Sequence, residues 1–129
     1  YSFTDLFMVL WMSFFIANEW LKKEGGVRVI CMRNQVKAKL LYDFLDESRL
    51  FRGTAARESR SLMNVTFRTP SPETDAAFVK FAAAQGLVNL KGHRLVGGMR
   101  ASIYNAMPVE GVTRLVEAMK QFEAEGIAR

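Results

Sequence analysis

Cysteine and histidine are nearly missing from this 129-residue sequence, where Cys31 and His93 are the only ones. A single thiol excludes a disulfide framework and a thiol-based metal site. One imidazole beside it leaves too few soft ligands for zinc. Clustered positive charge is missing too. The net charge of +5 comes from Lys and Arg scattered from Lys22 to Arg129, mostly near Asp or Glu. That argues for a solvated surface with a basic excess and against a nucleic-acid partner. The apolar run Leu6 to Ala17 is shorter than the roughly 20 residues a membrane span needs. The chain does not begin with Met, and no basic n-region precedes that run. No signal peptide is therefore expected, and the sequence reads as a cytosolic protein or a piece cut from one. No internal repeat or low-complexity stretch breaks it up.

Half the residues are apolar and about a quarter charged, close to ordinary globular usage. The length suits one domain, residues 1–129, with one core. A first helix continues from the apolar run through Glu19, Lys22, Lys23 and Glu24 to a stop at Gly25-Gly26. Phe3, Phe7, Leu10, Phe14, Ala17 and Leu21 make its apolar stripe, but Met8, Trp11, Met12 and Phe15 cover much of what should be the wet side. A second helix runs from about Val27 to Ser48. Leu40, Leu41, Phe44 and Leu45 are placed inward, Lys37, Lys39, Asp43 and Asp46 outward. Its first turn, Val27 to Met32, is apolar where acidic residues usually complement the dipole.

A loop through Gly53 leads to an alternating strand over Ser61–Thr69, with Met63, Val65 and Phe67 on one face. Ser71 and Pro72 open a third helix that ends before Gly86. Two short strands are expected at Leu87–Leu90 and Met99–Tyr104, and a last helix after Pro108. Segregated helices with a small, mainly antiparallel sheet predict an α+β, two-layer sandwich with the helices on one face.

The stretch from Lys91 to Pro108 contains the chemistry. A glycine-punctuated loop carries His93 and Arg94, exposes the N–H groups of Gly97 and Gly98, and leads into Arg100. Two planar guanidinium forks and an imidazole suit a doubly anionic small molecule; the same residues also suit a plain solvated loop. Here the sequence resembles a known family. Lys-Gly-His-Arg, two residues further Gly-Gly-Met-Arg-Ala-Ser-Ile-Tyr-Asn-Ala-Met-Pro, is very similar to a motif of phosphoserine aminotransferases, pyridoxal-phosphate enzymes of serine biosynthesis. Ser59 to Arg68 resembles that family's preceding strand. Leu40-Leu41-Tyr42 with Asp46-Glu47-Ser48 resembles its second helix.

The resemblance implies an aminotransferase small-domain fold. It implies that Arg100 pairs with a substrate α-carboxylate and that His93 and Arg94 hold the substrate phosphate. It also implies that the cofactor residues, including the Schiff-base lysine, belong to a large domain outside this sequence. The expectation is therefore a non-catalytic chain that holds no pyridoxal phosphate of its own.

Departures from the family concentrate in residues 1–15 and 28–32, giving residues 1–32 a non-family-like apolar surface. Three readings follow: the apolar residues fill the core, they form an interface on an altered, engineered scaffold, or they pair two copies of the chain. The preferred expectation is a protein partner bound by Phe3, Phe7, Met8, Leu10, Trp11, Met12, Phe14, Phe15, Val29, Ile30 and Met32. A fragment supplying the substrate-anion half of an aminotransferase site is the alternative. No metal, nucleic acid or membrane enters either reading, and the family resemblance implies a cytoplasmic location.

Overall fold

The computed structural model describes residues 3–127, with side chains from Asp5 to Gly126. In chain order it contains α1 (Phe3–Lys23), α2 (Gly26–Glu47), β1 (Arg52–Gly53), a 3₁₀ turn (Arg57–Ser59), β2 (Asn64–Arg68), α3 (Pro72–Ala84), β3 (Met99–Ser102) and α4 (Val109–Ile127). The chain read as one domain divides into two compact units, one ending at Arg33 and one starting at Asn34.

In the first unit, α1 ends where Glu24 N donates to Trp20 O and Gly25 N to Lys22 O. Gly25 and Gly26 then take left-handed φ values of +93° and +85°, which a side chain would resist. An ion pair of 2.8 Å between Arg33 and Glu24 spans the turn. Asp5 to Ala17 are exposed on every side of the helix. The core-filling reading of this run is therefore wrong: Phe7 and Trp11 are each 62% exposed. Even the polar side chains turn back on their own helix, Ser13 donating to Val9 O and Asn18 to Phe14 O, each at 2.8 Å.

In the second unit, β1, β2 and β3 form an antiparallel sheet in that order, with Arg52 opposite Arg68, Thr66 opposite Arg100 and Phe67 opposite Met99. Alternation sends Val65, Phe67, Met99 and Ala101 inward. They meet Leu41 and Leu45 of α2, Phe78 and Ala82 of α3, and Val112, Leu115 and Met119 of α4 in one core. Phe51 sits edge-on to Phe78 at 4.8 Å and to Phe67 at 6.2 Å. Each such buried ring contributes roughly 1.5–3 kcal/mol. Asn64, Thr66, Arg68, Arg100 and Ser102 occupy the other face, none of them buried. The two-layer α+β expectation is met, and α3 starts as expected, with Ser71 Oγ accepting from Thr74 N.

Several local expectations change. Leu87–Leu90 is not a strand: Asn89 takes φ +63° and breaks the pleat, leaving contact with β3 through Arg100 N to Leu90 O and a Lys91–Met99 bridge. The loop through Gly53 holds edge strand β1. Strand β2 begins only at Asn64 because Ser61 Oγ caps the N–H groups of Met63 and Asn64 in a turn. Strand β3 ends at Ser102, opposite the first residue of β2, Asn64, and beyond it Lys37 Nζ donates to the carbonyls of Ile103, Tyr104 and Met107, at 3.0, 2.7 and 2.9 Å. Lys37 is thus fully buried, against its expected outward place, and Leu40 is exposed.

Candidate anion-binding site

The loop after Leu90 closes on itself. Gly92 N donates to Gly98 O at 2.9 Å, and the His93 carbonyl accepts from Val96 N and Gly97 N at 3.1 and 2.8 Å. A Cβ on Gly92 would lie 2.5 Å from Gly97 O and 2.7 Å from Gly98 O, so only glycine permits the closure. Gly98, at φ +67°, lies against the Phe67 carbonyl and the Arg68 stem. The Gly97 N–H, expected to be exposed for a ligand, is used inside the loop.

Closure sets the imidazole. His93 Nδ1 accepts from Leu95 N at 3.2 Å, which leaves Nε2 as the ring's donor. Arg100 projects from the open face of β3, opposite Thr66. His93 and Arg100 line one cavity of about 320 Å³ together with Arg68, Thr54 and Thr66. His93 and Arg94 line a neighbouring cavity of about 390 Å³ with Lys91 and Asp75. The two cavities share the glycine loop. Asp75 is engaged, accepting from Thr69 N and Thr69 Oγ1 at 2.7 and 2.8 Å. The loop and sheet face thus gather cations and hydroxyl donors with no competing carboxylate in the Arg100 cavity. Such a set suits phosphate and carboxylate oxygens.

The structure therefore brings His93 to both Arg94 and Arg100, one cavity each. Sequence reasoning missed Arg68, although strand alternation put it on the Thr66 face, away from Val65 and Phe67. Among the described residues, no three His, Cys, Asp or Glu side chains come together as a metal site would require. No helix among them is long and apolar enough to cross a membrane.

The apolar residues expected to meet a partner divide. Phe7, Met8, Leu10, Trp11, Met12, Phe14, Phe15, Val29 and Met32 are exposed. Ile30 is only 4% exposed and is corrected from interface to interior: it lies on the buried side of α2 while Val29 and Met32 face outward. Phe3 opens α1, but its side chain lies outside the described residues.

Comparison with known proteins bears on the whole arrangement. The class-V aminotransferase family model matches residues 7–115. The phosphoserine aminotransferase of Bacillus cereus is 59% identical over 107 residues, which cover 83% of this chain and 30% of that protein. The solved phosphoserine aminotransferase from Bacillus circulans subsp. alkalophilus superposes with a TM-score of 0.81 at 45% identity, over 83% of this chain and 30% of that one. The PLP-bound phosphoserine aminotransferase of Trichomonas vaginalis gives 0.75 at 41% identity, over 79% and 30%. The chain spans about 30% of the length of the relatives it matches.

Proposed function

The chain belongs to the class-V aminotransferase family, and on that footing we propose that it forms the substrate-anion half of a phosphoserine aminotransferase site. Arg100 receives the α-carboxylate through its planar fork, and His93 with Arg94 receives the phosphate. The observation that carries this reading is the shared cavity of His93 and Arg100 under a loop only glycine can close. Rigid placement of both anionic ends orients the substrate, which is the contribution such a half-site makes to catalysis.

The described residues do not fit the cofactor. Pyridoxal phosphate supplies an electron sink and needs a lysine able to act as a neutral nucleophile. Lys37, the only buried lysine among them, is tied as an ammonium to three carbonyls. Lys39 is exposed and paired with Asp43 at 2.6 Å. Lys91, beside His93, shares its cavity with no phenyl, phenol or indole ring to stack on a cofactor. Transamination by this chain alone is therefore not part of the proposal.

Calorimetry with O-phosphoserine, O-phosphoethanolamine (no carboxylate) and serine (no phosphate) tests it. O-Phosphoserine is expected to bind best, and Arg100→Ala to reduce it to the level of O-phosphoethanolamine. Equal binding of all three ligands, or no effect of Arg100→Ala, contradicts the assignment.

One observation favours a second role, for α1: its uncovered apolar run. At about 60% exposure, ten large apolar side chains leave on the order of 1,000 Å² open. These side chains lie all round α1, so one face presents about half of that area, within the range of about 300–600 Å² for the largest apolar patch on a typical monomer. The occupant that fits is a second copy. Asp5 stands in the first turn of α1 and Lys23 in the last, so antiparallel pairing brings opposite charges to each end. The oligomeric state in solution tests this reading.

A further inference from the structure

Three arginines of the second unit are held by neighbouring groups. Arg57 and Arg60 share Asp46, Arg60 also lies over the Tyr42 ring at 4.5 Å, and Arg114 donates to Gln85 O. Arg49, Arg94 and the arginines on the open face of the sheet are not held in this way. Arg52, Arg68 and Arg100 have no ion-pair or side-chain hydrogen-bond partner among the described residues. Arg52 and Arg68 moreover stand directly opposite each other on β1 and β2, and both are exposed. Cross-strand neighbours have Cβ atoms only about 5 Å apart, and like charges there destabilise a sheet.

Only one member of the pair reaches the candidate site. Arg68 lines the cavity of His93 and Arg100, beside the hydroxyls of Thr54 and Thr66, and Arg52 does not. Those hydroxyls bond each other at 2.6 Å, which spends one donor and leaves the other oxygen's proton available. Gly98 lies against the Arg68 stem, 3.4 Å from an imagined Cβ, so the loop keeps that side of the arginine clear.

We infer that Arg68 is a third guanidinium of the substrate cradle, making this site selective for a phosphate monoester that also carries a carboxylate over either anion alone. The inference rests on the proposed function and adds a residue to it. The Arg100 fork is filled by one carboxylate, and Arg68 supplies a second fork across the same cavity. A ligand with two separated anionic groups engages both; a monoanion engages one. Stability and binding then pull in opposite directions at Arg68.

The test measures both in the 129-residue chain, by calorimetry and by thermal melting. Arg68→Gln is expected to weaken O-phosphoserine about tenfold, the equivalent of one charge-assisted hydrogen bond, while raising the melting temperature. Inorganic phosphate alone should lose less. Arg52→Gln should raise the melting temperature equally and leave the affinity within about twofold, since it relieves the same repulsion without touching the cavity. If O-phosphoserine binds the parent chain and loses affinity with Arg100→Ala but not with Arg68→Gln, Arg68 has no such role and the wider site stands. Equal losses in Arg52→Gln and Arg68→Gln mean a diffuse field and overturn the contact. A lower melting temperature in Arg68→Gln overturns the strain argument. A parent chain that binds no O-phosphoserine overturns the inference and the proposed function together.

Discussion

The Lys37 ammonium is out of reach of water and donates to three backbone carbonyls just beyond β3. Burying a charge is costly, and the three carbonyl dipoles help to offset that cost while their bonds are made. The same bonds fix the turn between β3, which carries Arg100, and α4. Lys37→Met keeps most of the stem but leaves three carbonyls without their donor. A loss of about 3 kcal/mol is expected, read as a lower urea midpoint at unchanged slope. An unchanged midpoint would mean that water replaces the ammonium at no cost. The residue also marks a limit of pattern reading. Lys37 lies one turn before Leu41, on the buried side of α2, but its charge argues for the outside. Nothing in the local sequence announces carbonyls that lie 66 to 70 positions further along the chain. Arg68 escapes pattern reading for the opposite reason: its outward place is legible, and its company is not.

Elements with strong periodicity and punctuation are legible. The Gly25-Gly26 stop, the Ser71-Pro72 start and the alternation through Val65 and Phe67 each have a local physical cause, and each is found. Leu87–Leu90 reads as a strand because its apolar run matches one, while Asn89, a residue type that tolerates positive φ, takes a left-handed turn there. For α1 the residue pattern shows an apolar surface without saying whether it is covered; exposure of residues 5–17 answers that for this chain. If two copies pair through it, sedimentation equilibrium should show a monomer–dimer equilibrium. Phe7→Glu with Trp11→Glu should then abolish the dimer without loss of helix content, because both side chains are exposed. A chain that stays monomeric at every concentration, or forms open aggregates of no fixed size, contradicts the pairing.

Over the whole molecule, a sequence motif and a fold agree. The motif at residues 91–108 resembles the phosphoserine aminotransferases, and the fold matches solved members with TM-scores of 0.75 to 0.81. The chain spans about 30% of their length, so the proposed role is half of a site. It offers cations in the Arg100 cavity, which neither a carboxylate nor a lysine lines. That claim is tested most directly by mapping O-phosphoserine onto the chain with amide and arginine side-chain NMR shifts. The account predicts saturable shifts at His93, Gly97, Gly98, Arg68 and Arg100, with α1 unmoved. Shifts spread evenly over the surface arginines, or confined to residues outside the two cavities, would contradict it.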